Sequence, residues 1–244
     1  MCRLMAFSSK QPVTIPEFIG GNFSEFLELS KVHHDAWGIA LDSGTDLQLN
    51  KAAETAIESS NFLETLSNRR GVGGLLHFRW ASPGLPATNE NAHPFMYQDI
   101  SFIHNGALSP YDALETLVSN NFLELRTGDT DSELFFLYLL TEVSKTDFKS
   151  GVIAAIRNIK ANFKYSSINS IIMNKEFLIV VCENDPVNKP DWADDFYYEL
   201  RYRINDEGFA VASSGWNQSD WQQIKNHHIL ILDRKSLESE IIQL

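Results

Sequence analysis

The chain has 244 residues, of which 43% are hydrophobic and 11% aromatic, and this is enough to bury a substantial core. Its net charge of -12, from 20 basic and 32 acidic residues, argues against binding nucleic acid or an anionic membrane through a basic surface. No signal-like segment opens the chain, and no apolar run approaches about 18 residues, so we predict neither secretion nor membrane insertion.

The only cysteines are Cys2 and Cys182, which are too few for a disulfide framework. The sequence leaves a single bridge between them open, but a reducing cytoplasm fits best. The histidines show no convincing ligand spacing, so we expect neither a metal nor a cofactor.

The first two residues carry a chemical signal. Removal of an initiator Met1 is common when the second side chain is small, and it would leave Cys2 with both a free α-amine and a thiol. An α-amine has a reference pKa of about 7.7–8.0, so it can take the thiol proton and act as a built-in base. The alternative is that a cysteine at the second position is a chance residue.

Strands and helices come in blocks along the chain. We predict a strand from Cys2 to Phe7, which starts at the nucleophile itself. The segments that follow are a loop at 11–22, a short helix at 23–29, strands at 36–41 and 46–49, a helix at 53–70, a strand at 72–80, a long loop at 82–99 and a strand at 100–105. We expect this last strand to leave the sheet sharply at Gly106.

The second half has the same block organisation. Its predicted elements are a helix at 110–120 capped by Ser109, helices at 134–143 and 148–162, hairpins at 168–182 and 197–213, and a last strand at 228–233. Grouped helices and antiparallel strands predict an α+β fold rather than alternating βαβ winding, and we expect a single domain over residues 1–244.

Two strand ends carry groups suited to a small amino-acid substrate. Arg79, followed by Trp80 and Ser82, could bind a carboxylate through two hydrogen bonds, with the Ser82 hydroxyl as a further donor; a surface ion pair is the alternative. Asn105 and Gly106 could supply a side-chain and a backbone N–H to an oxyanion; an Asn-Gly turn is the alternative.

Two further segments point the same way. Thr130 to Glu133 has the pattern of a capping box, which puts Asp131 in the first turn of a helix, where it could receive a substrate ammonium. The alternative is stabilisation of the helix dipole, worth about 0.3–1 kcal/mol. Trp37 and Gly38 at the head of a strand suit packing beside a small ligand, with a buried core Trp37 as the alternative.

Together and in this order, these segments resemble the class II glutamine amidotransferases, which are N-terminal-nucleophile hydrolases, and specifically their stand-alone type. The matching segments are residues 1–4, 35–40, 77–84, 93–95, 102–108, 128–133 and, more loosely, 211–214. They span nearly the whole chain. The resemblance implies a four-layer αββα sandwich, with two antiparallel sheets face to face and helices outside.

The resemblance also implies the chemistry. In that family the mature N-terminal cysteine attacks the side-chain amide of glutamine, so Cys2 would be the nucleophile and its α-amine the general acid and base. Asn105 and Gly106 would form the oxyanion hole.

The substrate-binding residues implied by the resemblance are charged or polar. Arg79, with Trp80 and Ser82 beside it, would bind the α-carboxylate of glutamine, and Asp131 would hold its α-amino group. The family usually has Thr and often His where this chain has Ser82 and Pro83, so a hydroxyl is kept while the loop differs.

The expected function is that of a glutaminase or amidotransferase, which hydrolyses glutamine through a Cys2 thioester and releases glutamate and ammonia. Three roles remain open: delivery of ammonia to a separate synthase subunit, hydrolysis of another γ-glutamyl amide, as in the resembling amidohydrolase of ergothioneine biosynthesis, and glutamine binding without turnover in a regulatory protein. The acidic segment 183–195, with Trp192 among its charges, is either a partner or lid surface or a solvated loop.

Overall fold

The computed structural model describes residues 2–82 and 84–244. The strands are β1 (Arg3–Val13), β2 (Ala36–Asp42), β3 (Leu47–Ala52), β4 (Gly71–Arg79), β5 (Phe95–Tyr97), β6 (Ile100–Ser109), β7 (Lys164–Met173), β8 (Phe177–Cys182), β9 (Leu200–Asn205), β10 (Gly208–Ser213), β11 (Gln222–Ile224), β12 (His228–Asp233) and β13 (Ser239–Gln243). The α-helices are α1 (Ile15–Ile19), α2 (Phe23–Glu28), α3 (Ser60–Asn68), α4 (Tyr111–Glu115), α5 (Asn120–Leu123), α6 (Asp131–Lys145) and α7 (Phe148–Asn162). Short 3-10 helices lie at Leu29–Lys31 and Ala56–Glu58.

The strands form two antiparallel sheets. The first has the order β11-β9-β10-β1-β4-β2-β3, and the second has the order β13-β12-β8-β7-β6-β5. Apolar side chains of both sheets, including Leu4, Leu75, Ile103 and Ile171, pack between them. Helices α1–α3 cover the outer face of the first sheet, and α4–α7 cover that of the second. The predicted αββα sandwich is confirmed.

Strand β1 is buried on both faces because it lies in the middle of its sheet, between β10 and β4. Side chains alternate along a strand, so Leu4 faces the second sheet while Met5 and Phe7 face the helices. The predicted strand is therefore confirmed from Arg3 to Phe7; it begins one residue after Cys2 and continues to Val13.

The predicted exit of the chain at Gly106 is wrong. Strand β6 continues to Ser109, and Gly106 pairs with Ile168 of β7. A Cβ atom at Gly106 would lie 1.8 Å from the Ser167 carbonyl oxygen, so this glycine serves close strand approach rather than a turn. Pro110, not Ser109, is the N-cap of α4, and the helix predicted at 110–120 is split into α4 and α5.

Several smaller predictions need correction. The loop predicted at 11–22 contains α1, which begins with a complete capping box between Thr14 and Glu17. At α6, Thr130 accepts from the Glu133 backbone N–H at 3.1 Å as predicted, but the Glu133 carboxylate binds Thr127 and Gly128 instead of closing the box. β13 follows the strand predicted to be last. In the described part of the chain, no helix combines the length and apolar character needed to cross a membrane.

Candidate active site

The predicted site residues converge on one small cavity. It lies where the ends of β1, β4 and β6 meet the first turn of α6, and its volume is about 30 Å³. Its lining includes Cys2, Arg79, Trp80, Ser82, Gly106 and Asp131, all of which the sequence singled out. Ser82 is half-buried there. The remaining predicted residue, Asn105, contacts Cys2 directly.

Cys2 directly precedes the central strand β1, and only 8% of it is exposed. Its backbone nitrogen donates a hydrogen bond to Asn105 Oδ1 at 2.8 Å. Across the sheet, Asn105 pairs with the buried Asn169 of β7, whose side chain donates to the Tyr198 carbonyl at 2.6 Å and accepts from the Glu183 N–H at 2.8 Å. The hydrogen bond from Cys2 to Asn105 therefore joins the start of β1 in the first sheet to β6 in the second, next to the strand that the Asn169 hydrogen bonds hold.

Arg79 ends β4 with a buried side chain, only 3% exposed. Its guanidinium donates to the Pro86 carbonyl at 3.0 Å, and no carboxylate of the described residues forms an ion pair with it. Burial lowers the pKa of Arg79. The surface ion pair considered above is therefore wrong: a buried guanidinium faces the cavity without a direct ion pair to the described residues, and the charge of the nearby Asp35 partly offsets the effect of burial on its pKa. A buried charge in this position is suited to pairing with an anion that enters.

Asp131 is the first residue of α6, and its carboxylate faces the cavity. Oδ2 accepts a hydrogen bond from the Leu108 N–H at 2.7 Å, and Oδ1 accepts one from the Ser132 hydroxyl at 3.4 Å. An ionised carboxylate has about four acceptor positions, so Asp131 retains capacity for a further donor.

The segment after Arg79 is held by a residue whose role the sequence did not reveal. Asp35 Oδ2 accepts a hydrogen bond from the Ala81 N–H at 2.7 Å. The neighbouring Trp37 is fully buried against Phe62, with ring centroids 5.1 Å apart, so its interpretation as a core residue is confirmed.

Sequence reasoning also missed a cluster of histidines behind the cavity. His77 and His93 stack with ring centroids 4.2 Å apart, and both His93 and His104 line the cavity. His104 Nδ1 lies 2.9 Å from the Ser132 hydroxyl. Burial lowers the pKa of all three side chains, which keeps them neutral. They come from separate elements, so sequence spacing does not bring them together.

The second cysteine has a different environment. Cys182 is buried in the core between the sheets, and its thiol donates to the Ile224 carbonyl at 3.4 Å. Burial raises the pKa of Cys182 to about 12, which makes it a poor nucleophile. Both cysteines are free, so no bridge joins them. Within residues 2–82 and 84–244, no group of three or more His, Cys, Asp or Glu side chains is arranged to hold a metal ion.

Aromatic side chains close the site on the side of the acidic segment. Trp192 packs on Trp80 at 5.0 Å and on Tyr197 at 5.1 Å between ring centroids. The Arg3 guanidinium lies 4.1 Å from the centre of the Tyr197 ring, which ties this segment to the residue after Cys2. The segment is therefore packed against the site over part of its length.

Comparison with known proteins agrees with this geometry. Residues 1–190 match the family described as class-II glutamine amidotransferases. Glutamine–fructose-6-phosphate aminotransferase (isomerizing) of Francisella tularensis is 28% identical over 143 residues, which cover 58% of this chain and 22% of that enzyme. The probable glutamine amidotransferase DUG3 of Saccharomyces cerevisiae is 27% identical over 171 residues, which cover 61% of this chain and 47% of that protein. The matched part thus spans less than half the length of either relative.

A solved structure shares the fold along the whole chain. The glutamine aminotransferase class-II domain protein of Silicibacter pomeroyi superposes with a TM-score of 0.70 at 18% identity, covering 100% of this chain and 99% of that one. The family match extends over most of the residues that build both sheets and the cavity. The chain belongs to the class II glutamine amidotransferases.

Proposed function

We propose that the protein hydrolyses the side-chain amide of a γ-glutamyl compound, glutamine in the simplest case, through a thioester on Cys2. One observation carries the proposal: a thiol, a buried guanidinium and a carboxylate line the same small cavity. These are the groups needed to hold a free amino acid by both of its charges while its side-chain carbonyl is attacked.

Substrate binding uses the two charged side chains. Arg79 pairs with the α-carboxylate, with Trp80 and the Ser82 hydroxyl next to it, and Asp131 accepts from the α-ammonium. The cavity, which we call the glutamyl cavity for its proposed substrate, has a volume of about 30 Å³ and room for one or two water molecules, so it must widen to admit a glutamyl group. The wall from Trp80 to Ser82 is a loop rather than a strand, and the hydrogen bond from the Ala81 N–H to Asp35 must give way if this wall is to move.

The nucleophile needs the removal of Met1, because the backbone nitrogen of Cys2 then becomes a free α-amine. Asn105 Oδ1, which accepts from this nitrogen at 2.8 Å, then orients the amine. The neutral amine takes the thiol proton, and the thiolate attacks the γ-carbonyl carbon.

Two N–H groups are suited to the oxyanion. Asn105 Oδ1 is engaged by Cys2, which leaves its Nδ2 group as a donor. Gly106 pairs with Ile168, whose N–H donates to the Glu183 carbonyl on the other side of β7. In an antiparallel sheet such a pair exchanges no hydrogen bonds, so the Gly106 N–H points away from β7, next to the cavity that Gly106 lines. Donors fixed in advance in this way stabilise the tetrahedral intermediate.

The remaining steps follow from proton balance. The ammonium form of the Cys2 amine protonates the departing nitrogen as the C–N bond breaks, which leaves a γ-glutamyl thioester. Water, deprotonated by the same amine, then cleaves the thioester and yields glutamate and the free thiol.

The experiment is a turnover assay on purified protein whose intact mass shows the loss of Met1. With glutamine as substrate, we expect glutamate and ammonia in equal amounts, and neither product above background for Cys2→Ala, a substitution that keeps a small residue at the N-terminus. Wild-type protein that releases no more glutamate than Cys2→Ala, both from glutamine and from larger γ-glutamyl amides, would contradict the proposal.

The wider context of the activity is also proposed. The chain acts as a single domain, its two free thiols fit a reducing cytoplasm, and a separate synthase subunit is the receiver when ammonia is the product.

A further inference from the structure

A second, larger pocket of about 660 Å³ adjoins the glutamyl cavity. The two share the wall formed by Trp80, Ala81 and Ser82. The other walls come from the end of β6, the start of β7 and residues 188–192. Pockets that bind small organic molecules typically have volumes of about 300–1,000 Å³. Ammonia, the leaving group when glutamine is the substrate, is about the size of a water molecule and needs no such space.

The charges of the glutamyl cavity restrict which part of a substrate can extend into this pocket. Under the proposed function, Arg79 requires a free α-carboxylate and Asp131 a free α-ammonium. Blocking either substrate group would leave a charge in the cavity unpaired, at a cost of several kcal/mol for a buried cation such as Arg79. The amide nitrogen is the remaining functional group of the substrate, so it is the position that can carry an extension.

The lining indicates that this extension is aromatic. Trp80 and Trp192 lie with their ring centroids 5.0 Å apart, and half of Trp192 (51%) is exposed. Leu108 and Pro190 add aliphatic surface. Aromatic rings prefer offset or edge-to-face contacts with other rings, worth about 0.5–1.5 kcal/mol beyond the area that they bury.

One charged residue completes the pocket. Lys164, at the start of β7, is the charged side chain among the described residues that line it, and no carboxylate of the described residues pairs with Lys164. The neighbouring Tyr165 hydroxyl donates to the buried Glu183 at 2.8 Å, which fixes this wall. A carboxylate on the aromatic group would find its counter-charge at Lys164.

We propose, on the basis of the proposed function, that the preferred substrate is a γ-glutamyl aromatic amino acid, with its ring and carboxylate in this larger pocket, which we call the amine pocket. Cys2 forms a thioester with the γ-carbonyl as the bond to the aromatic amino acid breaks, and the Cys2 ammonium gives that leaving amine its proton. Water then releases glutamate.

The experiment compares kcat/KM for four compounds on the same processed protein. Glutamine carries neither an aromatic ring nor a carboxylate on its leaving group. γ-Glutamylglycine adds the carboxylate alone, γ-glutamyl phenethylamide adds the ring alone, and γ-glutamylphenylalanine adds both. We expect γ-glutamylphenylalanine to exceed glutamine by at least about tenfold, with the two single-feature compounds between them.

Matched variants assign the preference to the pocket. Trp192→Ala should lower the ratio of kcat/KM for γ-glutamylphenylalanine over glutamine about tenfold, whereas Phe196→Ala, which removes a 64%-exposed aromatic ring outside the pocket, should leave it unchanged. Lys164→Gln should remove the advantage of γ-glutamylphenylalanine over the phenethylamide, whereas Lys175→Gln at the opposite end of β7 should not.

The outcomes separate the two proposals. Protein that hydrolyses glutamine as well as or better than γ-glutamylphenylalanine overturns the assignment of the amine pocket and leaves the proposed function intact. An unchanged substrate ratio in Trp192→Ala has the same meaning. Protein that hydrolyses none of the four compounds overturns the proposed function, and the assignment of the amine pocket with it.

Discussion

The glutamyl cavity and the amine pocket share a wall but are built differently. The cavity is formed largely by strand ends and the first turn of α6, and Cys2, Arg79 and Asn105 there are all less than a tenth exposed. The amine pocket is lined by the end of β6, the start of β7 and the connection between β8 and β9, where Trp192 is half-exposed. The groups proposed to react are therefore held in buried positions, whereas a partly exposed loop side chain contributes to the proposed choice of substrate.

The largest expected effect is the loss of turnover when the nucleophile in the glutamyl cavity is removed. Cys2→Ala should lower kcat at least about 10⁴-fold for every γ-glutamyl substrate, because the thioester can no longer form. Cys182→Ala should stay within about twofold of wild type, since that thiol lies in the core with its pKa raised to about 12. Steady-state assays of both variants test this, and activity retained by Cys2→Ala would contradict it.

The second-largest expected loss of kcat follows from removing a hydrogen-bond donor to the oxyanion. Asn105→Ala removes the side-chain N–H, and we expect kcat to fall about 10²- to 10³-fold, by the same factor for glutamine and for γ-glutamylphenylalanine. The factor is common to both because the oxyanion is the same whatever amine leaves. Kinetics with the two substrates provide the test, and near-normal turnover would remove Asn105 from this role.

The charge at Arg79 separates binding of the glutamyl group from the chemical step. Arg79→Lys keeps the charge but loses the planar fork, so kcat/KM for glutamine should fall about 10- to 100-fold, mainly through KM. The control is 4-aminobutanamide, which lacks the α-carboxylate. The low kcat/KM for 4-aminobutanamide should be the same in wild type and in Arg79→Lys. If Arg79→Lys lowers kcat/KM for this compound as much as for glutamine, Arg79 has a structural role instead.

Acid should lower the free energy of unfolding, because several histidines at and near the glutamyl cavity are buried. In the folded protein burial lowers the pKa of His77, His93 and His104, and that of His33 to about 3, so near pH 5.5 the unfolded chain binds more protons than the folded one. Stability is therefore full above the unfolded pKa of about 6.5 and falls as the pH drops below it, by about 1 kcal/mol at pH 5.5 for each histidine whose folded pKa lies well below that pH.

Urea unfolding at pH 7.5 and 5.5 measures this loss. His93→Phe removes one titrating group from the stack, so its loss between the two pH values should be smaller than that of wild type by about 1 kcal/mol. His34→Gln, at an exposed position, is the control and should match wild type. Equal losses in all three proteins would contradict the contribution of His93.

Prediction from sequence was most successful where local patterns decide the structure. Strand β1, helix α7 and the Thr130 cap depend on alternation, helical periodicity and a side chain three residues from its partner. The sharp exit predicted at Gly106 is wrong because an Asn-Gly pair locally favours a turn, whereas the close approach of Ser167, far along the chain, keeps Gly106 in the strand.

The candidate site was predictable in its residue types but not in its surroundings. Cys2 and Arg79 stand out because their chemistry is specific at those positions. The hydrogen bond from Cys2 to Asn105 Oδ1, the histidine stack and the amine pocket all join segments that are distant in sequence. No local pattern reports contacts of this kind.

The most direct test of the central claim is the site of labelling by 6-diazo-5-oxonorleucine, an electrophilic analogue of glutamine. Intact mass and peptide mapping of the treated protein should show Met1 absent and one adduct on Cys2, which excess glutamine suppresses. Retained Met1 without an adduct on Cys2, or an adduct on Cys182 instead, would contradict the assignment of Cys2 as the N-terminal nucleophile.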